Sequence, residues 1–152
     1  MIKTENQYHV GIIVDDFDAA LAELSAVFGY EWTAVMEVPT LVRLPDGSGG
    51  TVDRVIDAKC CYSLQEPRVE IVQSHPGTVW QEASHSAHHF GFWSDDVLAD
   101  SAELAARGYV EQAAGLREDG TVYWTYYRAP SGMIIELVSR DLQGPLESLW
   151  TR

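Results

Sequence analysis

The chain is short of positive charge: ten Lys and Arg stand against 23 Asp and Glu in 152 residues, a formal net charge of −13. Binding a phosphate backbone needs a basic face, so this balance argues against nucleic acid as a partner and against an anionic membrane surface. Long apolar runs are missing too, with no uncharged apolar stretch of the 18 or so residues that would suggest a membrane span. The opening "MIKTENQYHV" lacks the apolar core of a secretory signal, and a soluble cytoplasmic protein is the expectation. Cysteine is scarce: Cys60 and Cys61 are the two present, and they are adjacent. Neighbours on a strand point to opposite faces, so they are expected to be reduced, small core residues rather than a disulfide.

Apolar material is plentiful, at 46% of the chain, and suffices for one domain with a sizeable core. Part of it is written twice. A shift of 80 positions lays His9, Gly11, Asp15 and Asp16 on His89, Gly91, Asp95 and Asp96. The match continues as Ala19, Ala22, Glu23 and Leu24 fall on Ala99, Ala102, Glu103 and Leu104. Each copy begins with a strand-like run, "YHVGIIV" or "HHFGFWS", and reaches an Asp-Asp pair suited to capping a helix. The first helix, "FDAALAELSAVFG", places Phe17, Leu21, Leu24 and Phe28 on one stripe and stops at Gly29. The second, "VLADSAELAARG", keeps Leu98 and Leu104 and stops at Gly108. Strand-like runs follow in both halves: "EWTAVMEV", "VDRVIDAKCCYSL" and "RVEIVQ", then "YVEQ", "TVYWTYY" and "MIIELVS". Turn-forming stretches such as "PDGSGG" and "APSG" separate them. The order predicts an α+β domain of two βαβββ modules, over 7–74 and 87–139, with a linker at 75–86 and a tail at 140–152.

Strand parity then sorts the side chains. His9, Gly11 and Ile13 share one face of the first strand, while Val10, Ile12 and Val14 form an aliphatic face suited to packing against the helix. The histidine face therefore looks into whatever the sheet curves around, with Gly11 leaving space for a ligand. The same count selects His89, Gly91 and Trp93 in the second copy and puts His88 with Phe90 and Phe92. Glu70, between Val69 and Ile71, and Glu136, between Ile135 and Leu137, are expected to project into the same space as the histidines. Two buried carboxylates without partners are costly, and two imidazoles with two carboxylates suit one divalent ion such as Zn, Ni, Co, Mn or Fe(II). Trp93 and Ile13 on the histidine face, with Tyr123 and Trp124 from "VYWTYY", are the candidates for substrate contact. Tyr126 and Tyr127 read as core residues, and His75, His85 and His88 as surface or packing residues.

The segments "HVGIIVDDFDAAL", "RVEIVQ", "HHFGFWSDDV" and "SGMIIELVSR" resemble the vicinal oxygen chelate superfamily. That group includes glyoxalase I, methylmalonyl-CoA epimerase, extradiol dioxygenases, and the fosfomycin and bleomycin resistance proteins. The opening of the chain is most similar to the glyoxalase and epimerase branch. The resemblance implies a curved mixed sheet around a metal cavity, each module giving one ligand from its first strand and one from its last. It maps the ligand set of bacterial glyoxalase I to His9, Glu70, His89 and Glu136; methylmalonyl-CoA epimerases usually carry glutamine at the position of Glu70. It further implies an isomerase, epimerase or lyase that chelates the oxygens of a small-molecule substrate. Glu136, faced by Glu70, would carry a proton at the carbon beside a carbonyl. An Fe(II) ring-cleaving dioxygenase and a metal-free protein that sequesters a planar drug are the alternatives. Relatives of this size often form homodimers, which is the expectation for assembly.

Overall fold

Both Asp-Asp pairs open helices. In the computed structural model, which describes residues 2–151, Asp16 accepts a hydrogen bond from the Ala19 N–H at 3.0 Å and Asp96 one from the Ala99 N–H at 2.9 Å. Each bond satisfies one of the backbone donors left free in a first helical turn. The helices are α1 (Phe17–Phe28) and α2 (Val97–Ala106), and Gly29 ends α1 at φ 74°, a left-handed conformation that a Cβ disfavours. Under α1, Phe17, Leu21 and Leu24 pack with Ile12, Val14, Cys61 and Ile71, so the aliphatic face of the first strand lies beneath the helix. Phe28 leaves that stripe and stands 70% exposed beside the Tyr30 ring, while Leu98 is 80% exposed. Val97 and Leu104, seven residues apart on one face, make the α2 contact instead.

The strands are β1 (Gln7–Val14), β2 (Met36–Pro45), β3 (Thr51–Tyr62), β4 (Val69–Gln73), β5 (His89–Ser94), β6 (Val110–Leu116), β7 (Val122–Arg128) and β8 (Ile134–Ser139). They form a closed barrel in the order β1-β4-β3-β2-β6-β7-β8-β5. β1 with β4 and β5 with β8 are parallel, and the other pairs are antiparallel. The expected curved mixed sheet is thus present, bent far enough to meet itself.

The two halves of the barrel join in two places. At one, β1 and β5 pair across His9↔Gly91 and Gly11↔His89. At the other, β2 and β6 touch at Val42↔Gly115 and Arg43↔Ala114. The Arg43 guanidinium reinforces that second join by donating to both carboxylate oxygens of Glu111, at 2.9 and 3.0 Å.

The second strand corrects the sequence reading, which placed it at 31–38 and stopped before Pro39. β2 runs through Pro39 because at that position it pairs with β3 alone, so the missing N–H breaks no ladder on the other side. Residues 140–151 also hold more than a tail: a 3-10 turn at Arg140–Leu142 leads into α3 (Gln143–Trp150). Among the described residues, no helix is long and apolar enough to cross a membrane. Ile13, Val42, Leu44, Ile56, Ala113, Tyr126 and Ile134 fill the barrel interior around Trp80, which comes from the linker. Cys61 is buried under α1 and Cys60 lines a cavity inside the barrel, so the free thiols do face opposite ways.

Candidate metal centre

Alternation along β1, β4, β5 and β8 turns His9, Glu70, His89 and Glu136 inward, and all four are buried. These four strands are contiguous in the barrel, in the order β4-β1-β5-β8. His9 Nε2 lies 3.2 Å from His89 Nε2, 3.4 Å from Glu70 Oε2 and 3.2 Å from Glu136 Oε2. His89 Nε2 lies 3.1 Å from Glu70 Oε2 and 3.8 Å from Glu136 Oε2. Ligand atoms bound about 2.0–2.1 Å from one tetrahedral ion are about 3.3 Å apart, so these spacings bracket the edges of such a polyhedron. One ligand atom from each residue falls within 4.8 Å of all the others. The donor set and its convergence fit a divalent ion of borderline or hard character.

The repeated His-x-Gly has a physical origin in the strand pairing. His9 opposes Gly91 and His89 opposes Gly11, so each imidazole lies over the glycine of the other module. A Cβ on Gly91 would stand 1.9 Å from His9 Cε1, and one on Gly11 would stand 1.9 Å from His89 Cε1. The space beside Gly11, expected to admit a ligand, is therefore filled by the partner histidine.

An irregularity between Gln7 and His9 inserts one residue into β1, and Tyr8 packs against His9 instead of joining Val10 on the helix side. Tyr8 also stacks on Trp93 at 3.8 Å between ring centroids and 8° between planes. Trp93 consequently lines a depression with Tyr8, Arg68 and Trp150. Ile13 lies in the barrel core at 1% exposure.

Both carboxylates open onto a different space, a cavity of about 200 Å³ that Tyr123 and Trp124 also line. Of the four candidate substrate contacts, this cavity thus gathers two. It also gathers Trp80, Tyr62, Leu142 and Leu146, which the sequence does not single out, and Tyr126 and Cys60, expected as core residues and buried or half-buried here on the cavity wall. Parity with Glu70-facing neighbours could have flagged Cys60 and Tyr62, and parity with Trp124 could have flagged Tyr126. A tryptophan in an otherwise polar linker was the available sign for Trp80.

The sequence model of the Glyoxalase/Bleomycin resistance protein/Dioxygenase superfamily matches residues 8–127. The chain belongs to that superfamily. No curated protein sequence matches it. A variant of Streptomyces coelicolor methylmalonyl-CoA epimerase, solved with 2-nitronate-propionyl-CoA, superposes with a TM-score of 0.58 at 17% identity. That alignment covers 91% of this chain and 98% of the epimerase. The Mycobacterium tuberculosis methylmalonyl-CoA epimerase aligns over 95% of this chain and 97% of its own, with a TM-score of 0.54 at 16% identity. At these identities the likeness establishes the superfamily's fold.

In this member of the superfamily the inward groups set one another's charge. Burial works against a charged His9, yet the Glu70 and Glu136 carboxylates beside it outweigh burial and raise its pKa to about 9. Burial would likewise raise Glu70, but His9 and His89 hold it well below the usual carboxylate range. Burial, aided by the charge on Glu136 and Glu70, keeps the Tyr8 and Tyr126 phenols neutral. Burial, together with His89, presses His88 down to about 4, so that ring is neutral too. Metal-free protein at neutral pH therefore holds His9 as an imidazolium, which must shed its proton before it can ligate. Affinity for zinc should rise about tenfold per pH unit between pH 7 and about 9, then level off as His9 loses its proton unaided. Chelator competition across that range tests this, and a flat profile would refute a protonated His9.

Proposed function

We propose that this chain is a metal-dependent enzyme of the glyoxalase and epimerase kind, working as an isomerase, epimerase or lyase on a small molecule. It binds two neighbouring substrate oxygens and moves a proton at the carbon beside a carbonyl. The observation that carries this reading is the convergence of His9, Glu70, His89 and Glu136 within 4.8 Å, with both carboxylates facing a cavity. These four side chains would hold a divalent ion, which would supply positive charge to the oxygens on which negative charge develops.

The two glutamates are held differently. Glu70 Oε2 contacts both histidines at 3.1 and 3.4 Å. Glu136 has its near contact with His9 alone, its distance to His89 being 3.8 Å. The less tethered Glu136 takes the substrate proton and returns it, while Glu70 stands across the bound molecule. Trp80, Trp124 and Tyr126 give the cavity an aromatic wall of low polarity, in which charge interactions are stronger than in open water. A similar fold holds a propionyl-CoA analogue in the Streptomyces epimerase, which supports the epimerase side of this reading.

The test is metal content after purification without chelators. One equivalent of a transition metal is expected, and His9→Ala and His89→Ala should each lose it. A metal-free protein that binds an aromatic ligand tightly would overturn the reading in favour of sequestration. The aromatic wall favours one other chemistry, ring cleavage by Fe(II), for which two histidines and one carboxylate suffice. Bound iron together with oxygen uptake on a catechol would select it.

A further inference from the structure

Next to the candidate ligand His89, both ring nitrogens of His88 are engaged. Its Nε2 lies 3.0 Å from the Val79 carbonyl oxygen and its Nδ1 lies 2.9 Å from His89 Nδ1. A carbonyl can only accept, so His88 Nε2 carries the hydrogen and donates it. A histidine that ligates through Nε2 carries its hydrogen on Nδ1, so in a ligating His89 the hydrogen between the two rings belongs to His89 Nδ1 and the His88 Nδ1 lone pair accepts it. The Nε2 of such a His89 has its lone pair free for a metal, and this is the atom that faces His9, Glu70 and Tyr126 at 3.1 to 3.4 Å. The backbone fixes the relay at its base, because the His88 N–H donates to the Gly11 carbonyl at 2.8 Å and the two rings stand at 87°.

The first module has no counterpart. The repeat aligns Tyr8 with His88, but Tyr8 lies in the β1 irregularity and stacks on Trp93. His9 Nδ1 is buried and has no hydrogen-bond partner among the described residues.

We propose that His88 is a positioning residue: through the relay from His89 to His88 to the Val79 carbonyl it fixes the tautomer and ring orientation of His89. His89 is thereby the braced ligand and His9 the unbraced one. This rests on the metal reading above. An imidazole whose outer nitrogen is held loses less freedom on ligation and is a stronger donor, and removing such a partner costs about 10–100-fold in metal affinity.

Zinc affinity of the full chain, measured by chelator competition for wild type, His88→Leu and His88→Asn, tests the proposal together with 15N spectra of the imidazoles. His88→Leu should weaken zinc binding about 10–100-fold. His88→Asn places Oδ1 where Nδ1 stood and should recover most of that loss, which separates the relay from general damage to the fold. The spectra should show His88 as the Nε2–H tautomer with or without zinc. Wild-type affinity in His88→Leu, or an Nδ1–H tautomer at His88, would overturn the proposal. If none of the three proteins binds zinc, the metal reading falls and the ligand-positioning role falls with it. The tautomer of His88 would then still report on the hydrogen-bond relay.

Discussion

Glu136→Gln is expected to slow deuterium uptake from solvent at the substrate carbon by about 10²–10⁴-fold while leaving the protein folded. Glutamine matches glutamate in size and can still present a carbonyl oxygen toward His9, but it cannot accept a proton and release it again. The loss should therefore appear in the exchange rate, followed by NMR on whichever carbonyl compound the wild type exchanges. Metal content, measured on the same sample, separates a lost base from a lost ligand. Glu70→Gln provides the comparison, since Glu70 Oε2 contacts both histidines within 3.4 Å and its replacement should act mainly on metal retention. Exchange at the wild-type rate in Glu136→Gln would remove Glu136 as the proton carrier.

Gly91→Ala and Gly11→Ala should be as damaging, although neither glycine is a ligand. The added methyl would stand 1.9 Å from the Cε1 atom of the facing histidine, well inside van der Waals contact, so the ring or the strand must move. Moving the ring takes Nε2 out of the ligand cluster. Moving the strand disturbs the β1–β5 join. Either way zinc affinity should fall by more than about 100-fold, beyond the cost of losing an outer hydrogen-bond partner, and overpacking should cost about 1–3 kcal/mol of stability. Gly144→Ala is the matched control, because a Cβ there meets nothing within 4 Å. Chelator competition and urea unfolding measure both effects, and wild-type affinity in Gly91→Ala would show that the register tolerates a side chain.

The ligand strands were legible in the sequence because their neighbours are unambiguous. Val10, Ile12 and Val14 fix one face of β1, Val69 and Ile71 flank Glu70, and the duplication supplies the same pattern again. What parity cannot see is a change of count. One inserted residue at Tyr8 turns that ring toward His9 and couples it to Trp93, so a residue correctly placed on the histidine face ends against an aromatic stack. Pro39 hid most of β2, everything from 39 to 45, because the rule against proline in strands presumes partners on both sides. Trp80 comes from a segment with no periodic signal, and Leu146 from a helix that Leu142 caps, where Leu142, Leu146 and Trp150 share one stripe at a spacing of four that is readable in the expected tail; only tertiary packing brings either to the cavity. The meaning of Gly11 was also beyond local reading, since the atom it makes room for lies 78 positions away on His89.

The two joins of the barrel are mechanically unequal. All four candidate ligands ride on the strands that flank the β1–β5 join, while β2 and β6, across the barrel, meet at two residue pairs and an Arg43–Glu111 clamp. The molecule is in effect a cuff with a stiff spine and a narrow clasp. Few backbone bonds need to break for the clasp to part, and β4, β1, β5 and β8 need not shift when it does. Amide exchange is therefore expected to be faster along the β2–β6 join than along β1–β5, with the four inward side chains on the spine left in register.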